Sequence, residues 1–165
     1  GEARRVQEMT PFGAGNLGEA YLACLTEAIK PRIDREFRTL PDAQHTTIVG
    51  SSMGGLISLY AFFREPARYG FAAVLSPALW FGDGRIFRFV ESAPYVRGRI
   101  YLDVGTREGE GTLAHAREMR DQMVAKGYQR GKDVMWVEDK VGAHNEASWG
   151  RRLRPALPFL LRDID

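Results

Sequence analysis

An α/β fold built on a parallel sheet is what this sequence predicts, and three observations predict it. Four short segments, 45–49, 71–76, 99–104 and 133–137, are largely apolar and rich in β-branched or aromatic residues, as strands buried on both faces are. Stretches with helical spacing of apolar residues alternate with them. The first segment is joined to its helix by Gly50-Ser51-Ser52-Met53-Gly54-Gly55, six residues that must reverse the chain sharply. The expected architecture is a parallel sheet of about four core strands with helices on both faces. It forms one domain over residues 1–165, with a loop-rich segment at 1–16.

Taken in order, residues 1–16 are polar and glycine-rich and end in Pro11-Phe12-Gly13-Ala14-Gly15-Asn16, which reads as a loop. Asn16 with Glu19 three residues on predicts a helix N-cap and its capping-box partner. The amphipathic helix that follows runs from Leu17 to Lys30, where Pro31 ends or kinks it before Ile33 to Phe37. Cys24 shares a stripe with Leu17, Tyr21 and Ala28 and reads as a buried small hydrophobe. His45 to Val49 is the first strand and Leu56 to Phe63 the helix packed on it. Phe71 to Ser76, closed by Pro77, is the second strand, and Arg99 to Val104, closed by Gly105, the third. Thr112 to Lys126 is helical, with Leu113, Ala116, Met119 and Met123 at helical spacing and Gly127 as its stop. Asp133 to Val137 is the fourth strand. From Asn145 onward Trp149, Leu153, Leu157 and Leu160 define one stripe of a last helix, which Pro155 and Pro158 should bend.

Composition excludes several classes of function. Lys plus Arg number 23 against 21 for Asp plus Glu, with no basic run, so nothing calls for a nucleic-acid partner. The single cysteine rules out an internal disulfide framework. No stretch approaches the roughly 20 apolar residues of a membrane span. The N-terminus lacks the apolar core of a signal peptide, and a trimmed chain would have lost one, so the compartment stays open.

The chemistry is expected at the carboxyl ends of the strands, where open α/β sheets gather their working residues. Gly50, Ser52 and Gly54 fit G-x-S-x-G, in which the serine sits on a strained strand-to-helix turn. A Cβ at either flank would collide as strand and helix close together. The plain alternative is a Gly/Ser turn that matches a loose pattern by chance. A serine hydroxyl is a poor nucleophile unless a base takes its proton, and an imidazole suits that task. The imidazole in turn needs a carboxylate to hold its tautomer.

After the third strand comes Gly105-Thr106-Arg107-Glu108-Gly109-Glu110, and after the fourth Val141-Gly142-Ala143-His144-Asn145. Serine, acid and histidine thus follow in the order of the α/β-hydrolases. Glu108 is the acid of choice, since Asp103 lies inside its strand and Glu110 suits the next helix's N-terminus. His144 is the base. His45 lies at the opposite end of the sheet, and His115 falls in a helix. The N–H of Met53, just after the serine, is one oxyanion donor. Ser51 and Trp80 are expected to contact substrate, although a core position suits Trp80 nearly as well.

At these residues the chain resembles the esterase family of α/β-hydrolases that includes feruloyl esterases, S-formylglutathione hydrolase, enterochelin-type esterases and the mycolyltransferases. Gly50 to Gly55 resembles that family's nucleophile turn, Ser76-Pro77-Ala78-Leu79-Trp80 its segment after the following strand, Leu102 to Glu108 its acid loop, and Gly142-Ala143-His144 with Trp149 its histidine loop. The likeness runs from about Ala20 to the C-terminus. It implies Ser52 as nucleophile, His144 as base and Glu108 as acid, hydrolysis of a small-molecule ester, and no metal or organic cofactor. Acyl transfer to an alcohol uses the same three residues, and a non-catalytic, truncated binding module is the reading from another class.

The departure from the family is at the front. Its members carry several strands before the helix that here begins near Leu17, and a loop there supplies the other oxyanion N–H. Residues 1–16 offer no counterpart. The strand through Ile48 is then expected at an exposed apolar edge, which invites pairing. Either the chain is a fragment of a longer hydrolase, or another segment or a second copy in a homo-oligomer covers that edge.

Overall fold

The four apolar segments form one sheet in the order β1-β2-β3-β4, every neighbour parallel. The structure is a computed structural model and describes residues 2–13 and 16–161. The strands are β1 (Thr47–Ser51), β2 (Phe71–Leu75), β3 (Arg99–Gly105) and β4 (Val134–Asp139). Three helices make the crossovers: α4 (Met53–Arg64), α5 (Phe81–Ser92) and α6 (Glu110–Ala125). A last helix, α7 (Glu146–Leu161), follows β4. Register aligns Ser51 with Leu75, and Leu75 with Asp103, so the carboxyl ends of the strands open on one rim.

Alternation along the strands sorts the core into two layers. Ala72, Val74, Ile100 and Leu102 face Leu56, Leu59, Ile86, Met119 and Met123 from α4, α5 and α6. Phe71, Ala73, Leu75 and Tyr101 face Ala156, Phe159 and Leu160 from α7. The central strands β2 and β3 are buried along their whole length, which is why they lack a polar alternation. Tyr128 is also buried, and its hydroxyl donates to the Val96 carbonyl at 2.8 Å and accepts from the Val96 N–H at 3.2 Å.

The front of the chain differs from expectation in several ways. Residues 2–8 form a helix, α1 (Glu2–Glu8), where a loop was expected; Gly1, Ala14 and Gly15 lie outside the described residues. The Asn16–Glu19 capping box does not form. Leu17 is the cap of α2 (Gly18–Ala23) and makes no side-chain bond. Asn16 instead donates to the Gly13 carbonyl, and Glu19 accepts from Tyr60 and Arg64.

Pro31 neither ends nor breaks the helical run. A π-helical segment, Cys24–Ile29, precedes α3 (Lys30–Glu36), and the Lys30 N–H reaches five residues back to Leu25. This wide turn falls where ordinary α bonding would press the proline ring onto the carbonyl four residues before it. Cys24 is exposed rather than buried. The face turned inward carries Leu22 and Thr26, with Thr26 bonded to Glu65 and Tyr69.

At the other end, α7 runs through Pro155 and Pro158, and both prolines, with the residues four before them, face solvent. Its buried side is rotated from the expected stripe and carries Ser148, Arg152, Ala156, Phe159 and Leu160, while Leu157 is exposed.

Among the described residues β1 is an unpaired edge, and Val49 is 48 % exposed. An apolar groove of about 700 Å³ runs beside it, lined in part by Ile29, Ile33, Leu40, Val49 and Leu161. No helix of the described residues is long and apolar enough to cross a membrane.

Tyr128→Phe leaves both main-chain groups of Val96 without their buried partner. The expected loss of unfolding free energy is about 1–3 kcal/mol, measured by urea denaturation.

Candidate active site

Ser52 stands between the end of β1 and the first residue of α4 with φ +56°, a conformation that L side chains rarely adopt. Its N–H bonds the Leu75 carbonyl at 3.0 Å, and its own carbonyl accepts from Leu56 at 3.1 Å and Ala78 at 3.0 Å. The strained turn is thereby fastened to β2 and to the segment after it. A Cβ on Gly50 would lie 2.2 Å from the Gly54 carbonyl oxygen, so this strand end must be glycine. The steric demand expected at Gly54 itself is absent, because a Cβ there meets open space. On the helix side the demand falls on Gly55, where a Cβ would press on Leu75 O and Pro77 at 3.1 Å.

The β3 and β4 loops bring the other two residues to the serine. His144 Nε2 is 3.0 Å from Ser52 Oγ, and His144 Nδ1 is 2.8 Å from Glu108 Oε2. An ionised carboxylate can only accept, so Nδ1 carries the proton and Nε2 of the neutral ring is left to accept from the serine hydroxyl. The Trp149 ring meets His144 edge to face at 5.0 Å. Glu108 has no exposed side-chain surface, whereas His144 is 42 % exposed. Glu108 is therefore buried and His144 open to solvent.

Glu108 Oε1 faces away from the histidine and is heavily bonded. It accepts from Ser76 Oγ at 2.6 Å, from the Gly105 N–H at 2.8 Å and from Arg152 Nη2 at 3.2 Å. Burial pushes the Glu108 carboxyl up, but the bonds from Ser76, His144 and Gly105 with the Arg152 charge outweigh it and hold the group below its ordinary value. It is ionised at neutral pH. Behind it, Arg152 Nε lies 3.1 Å from Asp103 Oδ2, and both side chains are buried. Burial is also the largest influence on Asp103, and here it prevails over Arg152 and the Ser76 N–H, lifting the carboxyl to about 6.

Ser51 ends β1 and lines a cleft of about 450 Å³ with Gly54, Ile57, Glu146 and Trp149. Met53 opens α4, where its N–H has no acceptor inside the helix. Trp80 is not a core residue; it is 57 % exposed, with its ring 5.8 Å from that of Phe81. His45 pairs with Asp42, and His115 lies on α6 against Phe87. Ser76, Asp103 and Arg152 are the participants that sequence reasoning missed. The one signal in the sequence was an acid, Asp103, inside an apolar strand; nothing in the sequence marked Arg152 as facing inward. Among the described residues, no group of three His, Cys, Asp or Glu side chains is placed to hold a metal ion.

Comparison with known proteins agrees with this architecture. A family model named Esterase, described as "Putative esterase", matches residues 3–160, and so begins well before Ala20. The uncharacterized protein YbbA of Bacillus subtilis is 22 % identical over 94 % of this chain and 69 % of its own. A ferulic acid esterase structure superposes with a TM-score of 0.72 at 19 % identity, over 85 % of this chain and 60 % of that one. The enterobactin esterase of Shigella flexneri gives 0.75 at 21 %, over 85 % of this chain and 37 % of that one. The chain therefore spans about 60 % or less of these two solved relatives.

Because Asp103 has a higher pKa folded than unfolded, the folded state binds the extra proton between about pH 4 and 6. Its contribution to stability is thus present at low pH and lost as pH rises through that window. Glu108, shifted down, acts in the opposite sense, its contribution being lost as pH falls below its ordinary value. Asp103→Asn is expected to remove the decline between about pH 4 and 6 from urea midpoints measured across that range, leaving the acid-side loss in place.

Proposed function

The chain belongs to the esterase family whose model it matches, and from that membership we propose that it is a serine carboxylic-ester hydrolase working through Ser52, His144 and Glu108. The observation that carries the reading is the continuous pair of hydrogen bonds, 3.0 Å from Ser52 Oγ to His144 and 2.8 Å from His144 to Glu108. The strained turn at Ser52 supports it, since it exposes a hydroxyl at a helix N-terminus where developing negative charge is favoured.

In this mechanism Ser52 Oγ attacks the ester carbonyl carbon while its proton passes to His144 Nε2. Buried, ionised Glu108 accepts from Nδ1–H and stabilises the imidazolium that forms. The carbonyl oxygen becomes an oxyanion, to which the Met53 N–H donates. The tetrahedral intermediate collapses, the C–O bond to the alcohol breaks, and His144 returns its proton to the leaving oxygen. Water then enters, gives a proton to His144 and attacks the Ser52 acyl carbon. Breakdown of the second intermediate releases the carboxylic acid and restores the serine proton. Every step uses groups of this chain, the ester and water.

The substrate is a small-molecule ester. Ser51 bounds the cleft beside Gly54 and Trp149, and Trp80 offers an exposed aromatic face after β2; these are assigned to substrate contact. The solved relatives include a ferulic acid esterase and an enterobactin esterase, whose names give a ferulic acid ester and enterobactin as the first compounds to try.

Hydrolysis of p-nitrophenyl acetate by the purified chain is expected to fall by at least about 10³-fold in Ser52→Ala and in His144→Ala. A fluorophosphonate probe is expected to label Ser52 in the wild type alone. A folded chain that neither takes the label nor hydrolyses p-nitrophenyl acetate, a ferulic acid ester or enterobactin above its Ser52→Ala variant overturns the proposal.

A further inference from the structure

Arg152 comes from α7, which holds none of the three residues assigned to the chemistry, yet its side chain is 3 % exposed and its guanidinium lies directly behind Glu108. It is surrounded by Asp103 at 3.1 Å, Glu108 at 3.2 Å and Asp139 at 3.8 Å. These contacts are unlike in kind. Nε faces Asp103 and Nη1 faces Asp139 as ion pairs. The directional bonds come from Nη2 and go to Ser76 Oγ and Glu108 Oε1.

Ser76 is the second half of the same device. It is fully buried with φ +40°, and its N–H is held by the Asp103 carboxylate at 3.0 Å and the Asp103 carbonyl at 3.1 Å. Its hydroxyl has one proton, which goes to Glu108 Oε1 at 2.6 Å; the lone pairs are left to accept from Arg152. With the Gly105 N–H, Oε1 thus has three donors. Oε2 has His144.

The histidine loop is packed on the same guanidinium. A Cβ on Gly142 would lie 2.4 Å from Arg152 Nη1, and one on Gly105 would lie 2.3 Å from the Gly142 carbonyl and 2.7 Å from Glu108 Oε1. The Arg152 main chain is anchored too, because the buried Tyr101 hydroxyl donates to its carbonyl at 3.0 Å. One side chain therefore touches the acid, the turn after β2 and the loop that carries the base.

We propose that Arg152 and Ser76 are positioning residues that fix Glu108 Oε1 from behind, so that Oε2 is presented to His144 Nδ1. This rests on the esterase reading above and adds two residues to it. A carboxylate on a flexible glutamate arm has two equivalent oxygens and free rotation about its last bond. Three donors on one oxygen remove that freedom, and the other oxygen keeps a single direction for the histidine. Asp103 has a separate part: it neutralises the guanidinium and holds the Ser76 turn without touching Glu108.

The test compares Ser76→Ala and Arg152→Lys with wild type. The lysine variant retains the charge that Asp103 and Asp139 require but lacks the fork that reaches both Ser76 and Glu108. Thermal unfolding establishes that each variant is folded, and Ser76→Ala serves alone if the buried lysine is not accommodated. Expected in each folded variant is a fall in kcat on p-nitrophenyl acetate of about 10-fold to 100-fold, as for a misplaced catalytic group, with KM unchanged. The low-field proton NMR resonance of His144 Nδ1–H, identified by its loss in His144→Gln, is expected to move upfield or vanish by exchange.

A purely structural role would lower the unfolding temperature and leave that resonance in place. An unchanged kcat and an unchanged resonance in either folded variant overturns the proposal. If the wild type hydrolyses no ester, the esterase reading falls separately. The resonance then decides on its own: displaced in the variants it supports the positioning role, undisplaced it overturns it.

Discussion

The backbone of Gly50 and the backbone of Gly54 touch, and the position of Ser52 depends on that contact. With 2.2 Å between a notional Gly50 Cβ and the Gly54 carbonyl, any side chain would push helix α4 off the end of β1. At the centre of this tight turn Ser52 takes φ +56°. A non-glycine residue there costs on the order of 1–3 kcal/mol, and the surrounding bonds must hold it. They do so from one direction, since Leu75 O and the Ala78 N–H both grip Ser52 from the end of β2. The serine is thus located by its neighbouring strand as much as by its own.

The parallel topology extends this logic to the rest of the site. All four strands run the same way, so their carboxyl ends form one rim, and residues far apart in sequence meet there without any long excursion of the chain. Two of the four ends place a serine in the left-handed region, Ser52 after β1 and Ser76 after β2. The first turns its hydroxyl to a half-exposed histidine. The second is completely buried and turns its hydroxyl to the carboxylate that holds that histidine. A positive φ thus recurs after both strands, once with the hydroxyl turned toward the histidine and once with it turned toward the carboxylate.

Much of this was legible in the sequence because it follows from local pattern. The four strands, with ends displaced by up to two residues in β1 and β4, the crossover helices α4 and α6, and the association of Ser52, Glu108 and His144 come from apolar runs and from what lies just after them. Helix α5 was not legible. It opens through Gly82, Asp83 and Gly84, all with positive φ, and such residues advertise a turn. The N-terminal helix α1 carries few apolar residues, and the π-helical segment before Pro31 leaves no mark in composition. Cys24 and the stripe of α7 were misplaced for a shared reason. A helical spacing identifies several candidate faces, and which one turns inward depends on where the sheet lies. Arg152 shows this best, because a charged side chain beside the stripe of Trp149, Leu153 and Leu157 reads as solvent-facing, yet α7 buries it together with Ser148, Ala156, Phe159 and Leu160.

That burial is hard to account for as a source of stability. Removing charges from water costs several kcal/mol per ion, and three carboxylates around one guanidinium leave the cluster with excess negative charge. Burial pushes the Asp103 carboxyl up in the direction that such a cost requires. A core of similar volume built from apolar side chains would be no less stable and could be more so. What apolar side chains could not supply is direction. Glu108 needs donors on one oxygen to leave the other fixed, a donor inside a core needs its own countercharge, and that countercharge must come from a rigid element. Asp103 on the central strand β3 meets that last requirement: it is held by pairing on both sides, and its main-chain and side-chain oxygens both fasten Ser76. The anomalous charge inside the strand and the anomalous arginine on the helix are then one feature. Their cost in burial falls on the part of the fold least able to move, and the benefit appears at the carboxylate on the rim.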